Sequence, residues 1–164
     1  MAAHDLEARL ARIEDLEAIR QLKATYCDIC DDGHDPDRIV EIFSEEGIWE
    51  IEGDARAEGH AELRALFERF RDEVSFSQHQ VMNPIIEIDG DRAHGTWYFF
   101  APFTFRENDQ ARWVAARYEE DYAKLDGAWK IHHLRATLRM VTDYERSWAT
   151  GSPPGAEAGE ERSP

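Results

Sequence analysis

The 164 residues carry 35 acidic against 19 basic side chains, a net charge of −16, with 42% hydrophobic and 11% aromatic residues. That length and composition suit one domain with a sizeable core, and no basic stripe offsets the charge, which argues against nucleic acid or any other polyanionic partner. No apolar run approaches the ~18 residues of a membrane span, and MAAHDLEARL lacks the basic start and apolar core of a signal peptide, so the reading is of a cytoplasmic protein with no membrane partner.

Leu6, Leu10, Ile13, Leu16, Ile19, Leu22, Tyr26 and Ile29 recur at steps of three and four, predicting one long amphipathic helix to about Asp31 whose stripe faces a core. After Asp31-Asp32-Gly33, Asp35 is a natural N-cap with Pro36 at the first helical position, opening a short second helix through Ile39, Ile42 and Phe43. Gly47 to Ile51 reads as a strand ended by Gly53, and Ala61, Leu63, Leu66, Phe67 and Phe70 restore a helical period.

From Ser77 onward, apolar, aromatic and β-branched residues alternate between turn signals at Asp89-Gly90-Asp91, Glu107-Asn108-Asp109 and Asp126-Gly127, predicting four antiparallel strands joined by hairpins. Helices followed by a meander imply an α+β fold in which a curved antiparallel sheet wraps around the N-terminal helices and encloses a pocket. The expected organisation is one domain over 1–146 and a flexible acidic tail over 147–164, where Pro, Gly, Ser, Ala and Glu dominate.

No nucleotide-binding, serine-hydrolase or zincin motif is present, so chemistry must come from dispersed side chains. Cys27 and Cys30 form a C-x-x-C without a second pair or a preceding strand, and are read as packing residues. Of seven histidines, His4 and His34 fall at a terminus and a turn, and the adjacent His132 and His133 point to opposite faces of a strand, so no metal site is expected. His79, in Ser-Gln-His-Gln-Val-Met-Asn-Pro, stands at the start of the first long strand, where alternation alone allows either face.

The series Leu16-Glu-Ala-Ile-Arg-Gln-Leu-Lys-Ala-Thr-Tyr26, Asp31, Phe43, Trp49-Glu-Ile-Glu-Gly53, His79-x-x-x-Asn83 and Tyr122-x-x-x-Asp126-Gly-x-Trp129 resembles the SnoaL-like, nuclear transport factor 2-like family. The resemblance spans about residues 6 to 145 and is nearest to its scytalone dehydratase, bile acid 7α-dehydratase and hexachlorocyclohexane dehydrochlorinase members. It implies a cone-shaped fold, a homotrimer and elimination chemistry without metal or nucleotide.

By the same resemblance His79 falls at the general base, Asp31 at the carboxylate that orients it and Tyr26 at a pocket phenol, while Arg139, or Arg135 on the same strand face, matches an arginine late in the last strand. Phe103 stands where scytalone dehydratase has a second histidine, and Ala101 where the bile acid enzyme has an extra acid. Trp97, Phe99, Ala101 and Phe103 share one strand face and, with Trp49, suggest a hydrophobic, aromatic or steroid-sized substrate. The expectation is a lyase using a His/Asp base and no cofactor. The rivals are an isomerase or cyclase on the same base and a noncatalytic binding or interaction module.

Overall fold

A computed structural model describes residues 3–149, without the side chains of residues 3–5. The expected tail lies largely outside them. Helix α1 runs Ala3–Asp31 and α2 Pro36–Ile42, followed by β1 (Phe43–Ile51), β2 (Ala55–Glu58), α3 (Gly59–Glu73), β3 (Val74–Ser77), β4 (Gln80–Asp89), β5 (Arg92–Phe105), β6 (Gln110–Leu125) and β7 (Ala128–Asp143). The three predicted hairpin turns lie between β4 and β5, β5 and β6, and β6 and β7. At α2 the Asp35 carboxylate accepts the Asp37 and Arg38 backbone N–H groups at 2.9 and 3.1 Å, with Pro36 at the first turn.

The seven strands form one sheet in the order β2-β1-β7-β6-β5-β3, with β4 also paired to β5. This corrects the expectation of a wholly antiparallel sheet, because β1 runs parallel to β7, with Trp49 opposite Leu134. A parallel neighbour needs a long crossover, and everything from β2 to β6 supplies it. Sequence alternation missed β2 and β3, which have only four residues each.

Register shifts between Ala115 and Ala116 and between Asp121 and Tyr122 mark irregularities in the β6–β7 ladder, of the kind that bend a strand and sharpen its twist. The inward set on β6 is Val114, Ala116, Tyr118, Glu120 and Tyr122; on β7 it changes parity from Ile131 to Leu134 and Ala136. Helix α1 fills the concave face only with its C-terminal half, where Ile19, Tyr26, Ile29 and Cys30 are buried. Leu6, Leu10 and Ile13 are exposed, contrary to a stripe that faces the core throughout. The 29-residue helix is ~43 Å long, and its Arg12 and Asp15 side chains bond Ile88 O of β4 and the Lys124 and Trp129 side chains of β6 and β7. Among the described residues no helix is long and apolar enough to cross a membrane.

Candidate active site

The curl of the sheet leaves a cavity of about 500 Å³ between α1, α3 and the inner faces of β5 to β7. Its wall is largely aromatic and aliphatic, with Asp54, Arg69, Glu73 and Arg112 adding charge. The last turns of α1 present Tyr26 and Cys30 to the cavity, and the link between β3 and β4 brings in His79.

Asp31 ties these segments together. One carboxylate oxygen accepts from the Ser77 hydroxyl at 2.9 Å and lies 2.6 Å from His79 Nδ1. Its other oxygen accepts the His79 backbone N–H at 2.7 Å. A carboxylate is an acceptor only, so Nδ1 carries the proton and Nε2 the lone pair. The His79 side chain is 5% exposed, and Nε2 has no hydrogen-bond partner among the described residues.

Burial holds the His79 imidazole below its ordinary range, Asp31 pulls it upward and the Lys23 charge adds to the lowering. The ring is therefore neutral at neutral pH. Burial raises the Asp31 carboxyl, but its hydrogen bonds with His79 and Ser77 and the His79 charge outweigh this, so it stays ionised. The result is a free imidazole nitrogen in an apolar space, backed by a fixed anion.

Tyr26 is buried against His79, its ring centre 6.2 Å away and nearly perpendicular. Its hydroxyl accepts the Trp49 indole N–H at 2.9 Å, and burial raises the phenol well above its ordinary range, so it keeps a proton to donate. Phe99 and Phe103 pack on the His79 ring at 5.1 and 5.5 Å between centres. Trp49, Phe99 and Phe103 thus line the cavity with His79 and Tyr26.

Two expected site residues lie elsewhere. Trp97 is on the same strand face as Phe99 but nearer the narrow end, where its indole donates to Tyr122 Oη at 3.0 Å and it lies outside the cavity wall. Arg139 is on the outer face, its guanidinium 5.7 Å from the Tyr98 ring centre. Alternation through Leu134, Ala136 and Leu138 turns Arg135 and Arg139 away from the cavity, and Arg135 pairs with Glu50 at 2.6 Å. The arginines that reach the cavity are Arg69 and Arg112.

Sequence reasoning also missed three buried polar groups. His34, read as an ordinary turn residue, is 5% exposed and lines the cavity. Lys23 and Glu120 form a fully buried ion pair, and Glu120 also accepts the Tyr122 hydroxyl. The Lys23 ammonium lies 3.7 Å from the Tyr118 ring centre and 4.3 Å from that of Tyr26. The signal was present: Lys23 interrupts the α1 stripe between Ile19 and Tyr26, and Glu120 interrupts the inward row of β6. Cys27 and Cys30 are free and buried, and burial raises the Cys27 thiol to about 11 and that of Cys30 further. Among the described residues no group of three or more His, Cys, Asp or Glu side chains is arranged to hold a metal ion.

A helix-filled, curled α+β sheet with a buried histidine, backed by an aspartate and facing a largely apolar cavity, defines a cone-shaped small-pocket fold. The chain belongs to the SnoaL-like domain family, whose sequence profile matches residues 11–135. Among solved structures it is similar to the hexachlorocyclohexane dehydrochlorinase LinA type 2, with 23% identity, 90% of this chain and 99% of that chain covered, and a TM-score of 0.78. LinA-type3 from Novosphingobium barchaimii LL02 matches at 22% identity, with 89% of this chain and 99% of that one covered and a TM-score of 0.76. A scytalone dehydratase-like protein from Novosphingobium aromaticivorans DSM 12444 matches at 19% identity, over 89% and 97% of the two chains, with a TM-score of 0.75. At these identities the likeness is one of fold. No curated protein sequence matches the chain significantly.

Proposed function

We propose that this protein is a lyase that removes a carbon-bound proton from a hydrophobic small molecule with His79 and expels a leaving group, with no cofactor taking part. The observation that carries this reading is the 2.6 Å contact between His79 Nδ1 and Asp31, which leaves Nε2 unpartnered beside an apolar cavity. A neutral imidazole has a basicity suited to proton abstraction near neutral pH, and general-base catalysis contributes ~10² to 10⁴-fold. Asp31 fixes the tautomer and stabilises the imidazolium as it forms, while Tyr26 Oη can donate to charge developing on the substrate. An isomerase or cyclase would begin with the same proton transfer. A pure binding module would gain nothing from a buried imidazole held at hydrogen-bond distance from a carboxylate, given the cost of burying the ring.

The cavity volume and its Trp49, Phe99 and Phe103 walls support an aromatic or polycyclic substrate. Phe76, Met82, Ile85 and Tyr98 are exposed on β3, β4 and β5; covering them supports a homotrimer. The activity reading is tested with 5-nitrobenzisoxazole, an aromatic substrate whose ring opens on loss of one C–H proton. Wild type should accelerate the opening at least ~100-fold more than His79→Ala and show a primary isotope effect with the 3-deuterio compound. Equal rates for the two proteins would refute the base assignment.

A further inference from the structure

His34 follows α1 in the turn Asp32-Gly33-His34, at φ 54°. Its backbone N–H closes the end of the helix on Ile29 O at 3.0 Å. A left-handed turn of this kind most favours glycine, and histidine, with asparagine and aspartate, is among the side chains that adopt it. The side chain is nevertheless 95% buried, its ring held between Phe67 and Phe70 at 6.0 and 5.8 Å between centres. Neither ring nitrogen has a hydrogen-bond partner among the described residues, nor is either sealed in by protein packing. The ring opens onto the cavity, where its nitrogens can meet a bound molecule. Its ring centre stands 6.3 Å from that of His79, at an interplanar angle of 66°.

We infer that His34 is a second catalytic residue, whose ring N–H donates to a substrate oxygen two bonds from the carbon that His79 deprotonates. This rests on the reading of His79 as the base. It narrows the substrate class to compounds with an acidic C–H next to an oxygen-bearing centre, such as an enolisable ketone. In a ketone the α-carbon and the carbonyl oxygen are two bonds apart, so one small fragment can meet both imidazoles at once. His79 Nε2 takes the proton, the C–H electron pair moves into the new double bond, and the carbonyl oxygen gains the charge that His34 N–H stabilises. Burial, and then the His79 charge, pull the His34 pKa down to about 4. The group therefore acts as a neutral hydrogen-bond donor and leaves its proton in place.

A series of substituted benzisoxazoles tests this, because the acceptor there is the departing oxygen. Base removes the C3 proton, the C–H pair becomes part of a nitrile, the N–O bond breaks, and its electron pair remains on a phenolate. Without a donor, more charge rests on that oxygen in the transition state, so rates depend more steeply on the acidity of the leaving phenol. His34→Phe should lower kcat/KM for 5-nitrobenzisoxazole at least ~10-fold and steepen this dependence. His34→Asn tolerates the left-handed turn, cannot reach as far, and should do the same if the phenylalanine variant fails to fold.

A fall that is equal for every member of the series, or no fall, in a folded variant would overturn the assignment. The product phenolate, 2-hydroxy-5-nitrobenzonitrile, gives a readout independent of turnover: it should bind at least ~10-fold more weakly to either variant than to wild type. Equal binding would overturn the inference. Loss of turnover in His79→Ala with unchanged slopes and phenolate affinity in the His34 variants would retain His79 as the base and remove His34 alone. Wild type no faster than His79→Ala would instead refute the base, leaving phenolate affinity to judge the donor.

Discussion

Acid should destabilise this protein through His34 before it protonates most carboxylates. The free imidazole titrates near 6.5, whereas burial and the nearby His79 charge hold the folded group at about 4. Between those values the unfolded chain binds more protons than the folded one, so stability falls as pH falls and is restored as pH rises through 6.5. Taking pKa values of 6.5 and about 4, lowering the pH from 7 to 5 removes about 2 kcal/mol through this one residue. His79 acts in the same direction, since its folded value is also below 6.5. Asp31 is lowered from 3.8, so its contribution is lost only as pH falls through its folded value, below this window. Urea unfolding at pH 7, 6 and 5 should show wild type losing about 2 kcal/mol more than His34→Asn across the range. Equal losses in the two proteins would refute the claim that His34 is buried uncharged.

Four further outcomes follow from the same geometry. His79→Ala should lower kcat on 5-nitrobenzisoxazole at least ~100-fold, Asp31→Asn less and Tyr26→Phe less again, as measured by steady-state kinetics at pH 8; a Tyr26→Phe loss larger than that of His79→Ala would invert the assigned roles. Lys23→Met should cost about 3 to 5 kcal/mol by stranding the Glu120 carboxylate. Adding Glu120→Gln, which can still accept from Tyr122, should recover at least half of that in denaturant melts, and no recovery would mean that Lys23 acts through packing. Arg139→Ala should leave turnover within about twofold, since its side chain lies on the outer face. Light scattering should give three times the 19.0 kDa chain mass, and a monomer at micromolar concentration would remove the proposed assembly.

The sequence made the long elements legible because each repeats one signal. The α1 helix, the Asp35-Pro36 start of α2 and the three hairpin turns all depend on neighbours in the chain and lie where local rules put them, although the first part of the α1 stripe, Leu6 to Ile13, does not reach the core. The parallel pairing of β1 with β7 depends on contacts about 85 residues apart, as between Trp49 and Leu134, and no local pattern encodes it. Arg139 shows the limit of alignment by alternation: beside an irregularity in the ladder, a shift of one residue exchanges the inner and outer faces of the strand. His34 was hidden for a different reason. A histidine after Asp-Asp-Gly reads as solvated, and only α3, packing Phe67 and Phe70 over the turn, makes it part of the cavity wall. His79 and Asp31 were legible only by resemblance, since 48 positions separate two side chains that meet at 2.6 Å.

The central claim, that Asp31 holds His79 as a neutral ring with Nε2 free, is most directly tested by nitrogen NMR of the protein labelled with 15N-histidine. At pH 7 the account predicts a protonated Nδ1 coupled to an unprotonated Nε2 for His79, with Asp31→Asn shifting that balance. A proton on Nε2 at pH 7, as the other tautomer or as imidazolium, would contradict it.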